Sequence, residues 1–192
     1  MKKFFEFLKQ VFSMSKKMAE NDVQIVAEGP TIKKMLLKKH FRKGRRKEVS
    51  VVVYHYISAK NTNPADPFDL KAIIKIFEDF PVSAHYLIER DGTIIQLVED
   101  EDTAWHAGVS NYGGESNVND FAIGIEFVAT HTSGFTNNQI ESAIWLSKNR
   151  LMKKFPKITE PRHTGHEHIA PGRKIDPGPK FPWREVRSKL AA

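Results

Sequence analysis

The stretch Arg162-His-Thr-Gly-His-Glu-His-Ile-Ala-Pro-Gly-Arg-Lys-Ile-Asp-Pro-Gly-Pro179 is the part of the sequence around which the other segments are arranged. It carries three of the eight histidines, and Lys174 and Asp176 follow them between two Pro-Gly pairs. Because proline presets φ and glycine accepts positive φ, these pairs predict a rigid loop rather than a helix or strand. We expect His166 and Asp176 in this loop to bind a zinc ion, together with a third ligand from an upstream strand.

Two upstream segments predict strands that face this loop. Residues 49–57 are apolar on both faces, which is typical of a buried central strand, and His55 lies near its carboxyl end. That end of a strand is where sites collect in α/β proteins, although a lone histidine there also fits a core residue with satisfied hydrogen bonds. Residues 122–130 predict a second strand, on which Gly124 and Glu126 share one face. The space beside Glu126 leaves two interpretations open, a solvated edge glutamate and a general base in a pocket.

The remaining segments alternate between helix and strand signals. Asp69 can cap a helix that runs to about residue 80, and Thr136 with Gln139 forms a capping box for a helix that continues to about Lys154. Residues 83–90 and 93–98 predict a hairpin with a two-residue turn at Asp91-Gly92. Residues 104–120 predict a long loop, and residues 183–190 a short terminal helix. Together these signals predict an α/β domain.

Composition limits the classes of protein that the chain can belong to. Its 192 residues suit one domain with a sizeable core, and no apolar run is long enough to span a bilayer. Since the chain has no cysteine, disulfides and thiolate metal sites are excluded, and a metal must use His, Asp, Glu and water. The net charge of +7 indicates an anionic partner, which could be nucleic acid, an anionic membrane or a cell wall.

The first 48 residues predict a basic N-terminal helical extension ahead of a catalytic domain at residues 49–192. Residues 1–20 predict an amphipathic basic helix, which could pack on the domain or lie on a membrane surface. A signal peptide is not favoured, because Glu6 and Lys9 interrupt the apolar run and no small-residue cleavage site follows. Residues 33–47 are strongly basic, but only Phe41 is aromatic there, so a solvated face is favoured over nucleic-acid binding.

A catalytic zinc needs about three protein ligands and one open position for water. His55, His166 and Asp176 can supply the three ligands, from the end of a strand and from the rigid loop. Glu126 could then accept the proton of the water, and Lys174 could stabilise an oxyanion. Spacing alone leaves three rival ligands, which are His163, His168 and His85.

Six segments resemble one known family, the type-2 N-acetylmuramoyl-L-alanine amidases, over about residues 49–183. They are Val53-Tyr-His-Tyr, Val82-Ser-Ala-His-Tyr-Leu-Ile-Glu-Arg-Asp-Gly-Thr-Ile, Ala104-Trp-His-Ala-Gly, Ile123-Gly-Ile-Glu-Phe, Phe135-Thr and Gly165-His-Glu-His-Ile-Ala-Pro-Gly-Arg-Lys-Ile-Asp-Pro-Gly-Pro. The family includes cytosolic anhydro-muramyl peptide amidases, phage lysozyme-type amidases and peptidoglycan-recognition proteins. The order of the segments makes the resemblance highly specific.

Carried over residue by residue, the resemblance implies a complete site. The family's zinc ligands match His55, His166 and Asp176, its acidic catalytic residue matches Glu126, and its transition-state lysine matches Lys174. Three further residues match positions that line or support the substrate cleft: His85, Trp105 and His106. The implied fold is α/β, with a mixed central β-sheet and helices on both faces.

The resemblance also implies the reaction and its setting. The family cleaves the amide between N-acetylmuramic acid and L-alanine of the peptidoglycan stem peptide, so we expect peptidoglycan or a muropeptide as the partner and one Zn²⁺ as the cofactor. The lack of an export signal fits a cytoplasmic recycling enzyme or a phage endolysin released by a holin, and the positive charge slightly favours the lytic role. The alternative is a peptidoglycan-binding module that does not cut, but the matched site is intact.

Overall fold

The computed structural model describes residues 29–192, and the amphipathic helix expected over residues 1–20 lies outside the described residues. The strands in chain order are β1 (Ile32–Lys34), β2 (Phe41–Arg42), β3 (Val51–Ile57), β4 (Tyr86–Ile88), β5 (Ile94–Gln96), β6 (Thr103–Ala104), β7 (Asn111–Tyr112), β8 (Glu115–Ser116), β9 (Ala122–Val128) and β10 (His163–Gly165). The helices are α1 (Leu70–Asp79), α2 (Asn137–Leu146), α3 (His166–Ile169) and α4 (Trp183–Ala191).

Six of the strands form a mixed sheet in the order β1-β5-β4-β9-β3-β10. The β4–β5 pair is antiparallel, and the other neighbours in the sheet are parallel. The two longest strands, β3 and β9, lie side by side within the sheet, because their apolar residues can be buried on both faces. The predicted mixed central sheet is therefore confirmed.

Alternate residues of β3 and β9 face opposite layers of helix. Tyr54 and Ile125 belong to a core that is closed by α2 and α4. Val128 points to the other side, where Ile73 and Phe77 of α1 pack against the sheet. The prediction of helices on both faces is confirmed, and the odd-numbered residues of β3 share a face with the even-numbered residues of β9.

The helices begin where capping side chains predict. Asp69 accepts a hydrogen bond from the Lys71 amide at the start of α1. At the start of α2, the Thr136 hydroxyl accepts from the Gln139 amide, and the Gln139 side chain accepts from the Thr136 amide. The α2 helix continues through a π-helical turn and a last turn at Met152–Lys154, as the sequence predicted.

The hairpin between β4 and β5 has a longer connection than predicted. The Glu89 amide donates to the Thr93 carbonyl, and the Gly92 amide donates to the Glu89 carbonyl, which leaves three residues in the loop. Gly92 has a φ of 92° and supplies the left-handed residue that closes such a loop. The predicted two-residue turn is wrong. A type I′ turn would need positive φ at both Asp91 and Gly92, and only Gly92 has it.

The described part of the basic segment contacts the domain. Strand β1 adds to the edge of the main sheet beside β5, and β2 pairs with β6 in a small second sheet. The boundary predicted near Glu48 stays a prediction, although residues before it contribute strands. None of the helices within residues 29–192 is long and apolar enough to cross a bilayer.

Candidate metal centre and cleft

Strand register brings the candidate residues together at the carboxyl edge of the sheet. His55 on β3 is the direct partner of Glu126 on β9. Gly165, the last residue of β10, is the partner of Tyr54, so His166 begins α3 immediately beyond the edge. The carboxyl ends of parallel strands meet at this edge, which is the usual place for a site in an α/β fold.

Three side chains converge on one point at this edge. The His55 Nδ1 atom lies 2.9 Å from His166 Nδ1 and 3.0 Å from Asp176 Oδ2. The third distance, from His166 Nδ1 to Asp176 Oδ2, is 3.1 Å. Both imidazoles are buried, at 1 % and 3 % exposure, and the three distances place the ligand atoms in direct contact.

The chemistry of these atoms fits a zinc ion. The His166 Nε2 atom donates a hydrogen bond to the Ala107 carbonyl at 3.0 Å, because a carbonyl oxygen can only accept. In the neutral imidazole, His166 Nδ1 then carries a lone pair, and it points at the lone pairs of the Asp176 carboxylate. Two imidazole nitrogens and a carboxylate oxygen are a ligand set that zinc uses. Within residues 29–192, this is the one group of three such side chains close enough to share an ion.

Burial and nearby side chains shift the pKa values of His55 and Asp176 in directions that suit metal ligands. Burial lowers the pKa of His55 to about 4, which keeps its imidazole neutral at neutral pH. Burial alone would raise the pKa of Asp176, but the contacts with His166 and His55 outweigh it and hold the pKa below its ordinary value. A neutral imidazole and an ionised carboxylate are the forms that bind a metal.

Glu126 and Lys174 line the same cleft as His166 and Asp176, which encloses about 140 Å³. Burial, and then the charge of Asp176, raise the pKa of Glu126 well above its ordinary value. Its Oε2 atom is inaccessible to solvent and has no hydrogen-bond partner among residues 29–192. A carboxylate without a partner beside a cleft can accept a proton from a molecule bound there.

The structure places the three predicted cleft residues at different depths. Trp105 is 37 % exposed and lines the cleft, and the 8 % exposed His106 lines it from below. His85 is fully buried beneath them, where its Nδ1 accepts the Gly124 amide. The space that Gly124 was expected to leave beside Glu126 is filled, because the His106 ring lies against Gly124.

The rival ligands have other contacts. His163 is buried and its Nδ1 donates to the carbonyls of Thr159 and Glu160. His168 accepts the Gly165 amide at its Nδ1 and holds the start of α3. Neither imidazole joins the group formed by His55, His166 and Asp176.

Arg45 is a residue whose role the sequence did not reveal. It lies in the basic run, where a solvated face was expected, yet its guanidinium donates to the carbonyls of Asp100 and Ala122. Its Nη2 atom lies 2.7 Å from His85 Nε2. Burial lowers the pKa of Arg45 to about 10, so the side chain remains a cation beneath the cleft.

Fold and site together define an α/β domain whose cleft brings together two histidines and an aspartate that could hold a metal ion. A family model described as N-acetylmuramoyl-L-alanine amidase matches residues 45–179. The chain belongs to this family, the type-2 N-acetylmuramoyl-L-alanine amidases, as the sequence motifs predicted.

Individual relatives agree with the family assignment. The chain is 43 % identical over 163 residues to the 1,6-anhydro-N-acetylmuramyl-L-alanine amidase AmpD of Haemophilus influenzae, a match that covers 79 % of this chain and 88 % of that protein. The crystal structure of a selenomethionine AmpD derivative is similar with a TM-score of 0.68 and 36 % identity, covering 86 % of this chain and 96 % of the other. AmpDh3 of Pseudomonas aeruginosa, in complex with anhydromuramic pentapeptide, gives a TM-score of 0.64 and 34 % identity over 74 % of this chain and 60 % of that chain.

Proposed function

We propose that this protein is a zinc-dependent N-acetylmuramoyl-L-alanine amidase, which hydrolyses the amide between N-acetylmuramic acid and L-alanine of the stem peptide. One observation supports it most directly: His55, His166 and Asp176 present three ligand atoms within 3.1 Å of one another, at the wall of the cleft that Glu126 and Lys174 line. A site for binding alone would not need a proton acceptor without a partner beside the triad.

His55, His166 and Asp176 would hold the metal, which supplies Lewis acidity and lowers the pKa of a water molecule to about 7. Glu126 Oε2 accepts the proton of the attacking water and then returns it to the leaving amine of L-alanine. Lys174 Nζ carries a positive charge in the same cleft and stabilises the oxyanion of the tetrahedral intermediate. Glu126 is partly buried, which strengthens these interactions relative to those of fully solvated groups.

A soluble anhydro-muropeptide is the substrate that the comparisons favour. The Haemophilus influenzae relative is named a 1,6-anhydro-N-acetylmuramyl-L-alanine amidase, and the AmpDh3 structure holds an anhydromuramic pentapeptide. We therefore propose a role in cell-wall recycling. The lytic endolysin role, which the charge of +7 slightly favoured, has no comparable support. The cytoplasmic location and the membrane contact of the N-terminal segment stay predictions.

Turnover of defined substrates tests this function. The purified protein should release peptides with a free N-terminal L-alanine from anhydro-muropeptides, lose this activity to a chelator and regain it with zinc. Faster turnover of soluble anhydro-muropeptides than of intact sacculi would support recycling, whereas preference for sacculi would favour lysis. No amide cleavage of either substrate by the zinc-loaded protein would overturn the proposed function.

The role of Glu126 has its own test. Glu126→Gln keeps the shape of the side chain but removes the base, so we expect zinc to remain bound and kcat to fall by about 10²–10⁴-fold. Glu126→Ala should behave in the same way. Glu115→Gln is a matched control, because Glu115 is exposed on β8 and pairs with Lys47 away from the cleft. Wild-type turnover in Glu126→Gln would remove this residue from the mechanism.

A further inference from the structure

Each of the two histidines of the triad has a second ring nitrogen that faces away from the shared point. Both of these nitrogens contact one short piece of chain, residues 105–107, which we name the orienting loop. The His166 Nε2 atom lies 3.0 Å from the Ala107 carbonyl, and the His55 Nε2 atom lies 3.0 Å from His106 Nδ1. Two consecutive residues of one loop therefore meet both imidazoles.

We propose that His106 and Asn119 are positioning residues, which act through the orienting loop to fix the tautomer and ring orientation of His55 and His166. This inference rests on the proposed function, since it describes how the chain prepares the two nitrogens for zinc. A partner on the second nitrogen of a metal-binding histidine fixes which nitrogen is free to bind.

The hydrogen-bond pattern at His166 allows one assignment. The Ala107 carbonyl can only accept, so the proton of His166 lies on Nε2 and the Nδ1 lone pair faces Asp176. Arg173 Nη2 also donates to the Ala107 carbonyl, at 2.7 Å, and to the Val109 carbonyl. Ala107 thus accepts two hydrogen bonds, and the guanidinium holds the loop from its solvent side.

The pattern at His55 follows from the contact between its Nε2 atom and His106. A hydrogen bond between two ring nitrogens at 3.0 Å needs one donor and one acceptor. If His55 Nδ1 is free to bind an ion, its proton lies on Nε2 and is donated to His106 Nδ1. The proton of His106 then lies on Nε2, a buried atom that has no hydrogen-bond partner in the described chain. His106 therefore acts at His55 as an acceptor.

Two features hold the orienting loop in register with the histidines. Asn119 Oδ1 accepts the amides of both His106 and Ala107, at 3.1 Å and 2.8 Å. A single side-chain oxygen thus fixes the two residues that contact the triad. On the other side, the His106 ring packs on Gly124, where a Cβ atom would lie 2.3 Å from His106 Cγ.

Two near-isosteric substitutions of His106 separate its hydrogen bond from its bulk. Asparagine places a carbonyl oxygen close to the position of Nδ1, whereas leucine fills the same space without an acceptor. Zinc affinity, measured by competition with a chelator, should fall about 10–100-fold in His106→Leu and stay within about threefold of wild type in His106→Asn. The Nε2 proton resonance of His55 in the zinc-loaded protein should be protected in wild type and His106→Asn but lost in His106→Leu.

Asn119 provides an independent pair of variants. Asn119→Ala removes the acceptor for both loop amides and should weaken zinc binding, while Asn119→Asp keeps an oxygen acceptor and should restore most of it. These two variants also test the positioning role of the orienting loop if His106→Leu does not fold.

The outcomes distinguish the two proposals. A wild-type protein that binds no zinc would overturn the proposed function. Wild-type zinc binding with equal affinity in His106→Leu and Asn119→Ala would overturn the positioning role alone. Equal losses in His106→Leu and His106→Asn would also overturn it, because the acceptor would then not matter.

Discussion

Replacing Gly124 with alanine adds one methyl group at the most crowded contact beneath the cleft. An ideal Cβ atom there would lie 2.3 Å from His106 Cγ, 2.6 Å from Cδ2 and 2.7 Å from Nδ1. Carbon atoms in contact are ordinarily about 3.5–4.0 Å apart. The His106 ring therefore has to retreat by about 1 Å, or the strand β9 has to shift with Glu126 on it.

The expected free-energy change combines two effects of opposite sign. Overpacking of a filled site typically costs about 1–3 kcal/mol. Gly124 does not have a positive φ, so alanine fits its backbone and gains about 0.4–1 kcal/mol through the unfolded chain. We expect a net loss of about 1–2 kcal/mol in the free energy of unfolding, which corresponds to a fall in Tm of roughly 2–8 °C for a chain of this size.

Urea unfolding at neutral pH measures this loss, and a double-mutant cycle identifies its cause. His106→Ala removes the ring that the new methyl group would meet, so Gly124→Ala should cost nothing in that background and could even stabilise the fold by the backbone effect. A cost for Gly124→Ala that is the same with and without the His106 ring would refute the explanation by crowding.

Two more predictions concern buried cations and imidazoles. Arg45→Met leaves two backbone carbonyls without their donor and should lower the free energy of unfolding in urea by about 2–4 kcal/mol. The control Arg46→Met, at an exposed neighbouring position, should change the free energy of unfolding by less than about 0.5 kcal/mol. Burial lowers the pKa of His163 to about 4, below its ordinary value of about 6.5, so its contribution to stability is complete above 6.5 and is lost as the pH falls towards 4. His163→Asn keeps a donor to the Thr159 carbonyl but does not titrate. Between neutral and low pH, its free energy of unfolding in urea should therefore decrease less than that of wild type, with a difference of up to about 3 kcal/mol. An identical pH dependence in both proteins would contradict this assignment.

The sequence predicted the parts of the fold that follow from local patterns. The buried strand at His55 follows from an apolar run, and the start of α2 follows from the Thr136 and Gln139 side chains. The family motifs then indicated which distant residues would meet. The structure brings these residues together, although their roles in catalysis and metal binding stay proposals.

Other features depend on contacts that no local pattern encodes. Strand β1 has only three residues, two of them lysines, and becomes a strand because β5 offers an unpaired edge. Arg45 looks like its neighbours in the basic run, and its burial depends on carbonyls that lie at least 55 positions away. The hairpin loop has three residues instead of the predicted two, because Gly92 takes the left-handed position at the end of the loop. Tertiary partners decide each of these outcomes.

The pairing of His55 with Glu126 across two neighbouring parallel strands has a consequence for how the chain can change. Side chains on a strand alternate between its faces, so deleting one residue within β9 would turn the carboxylate into the aromatic layer and bring Phe127 to the cleft. Surface loops of this chain can lengthen or shorten without such an exchange. Descendants of this gene can therefore vary in loop length, but β3 and β9 have to be inherited with their spacing intact.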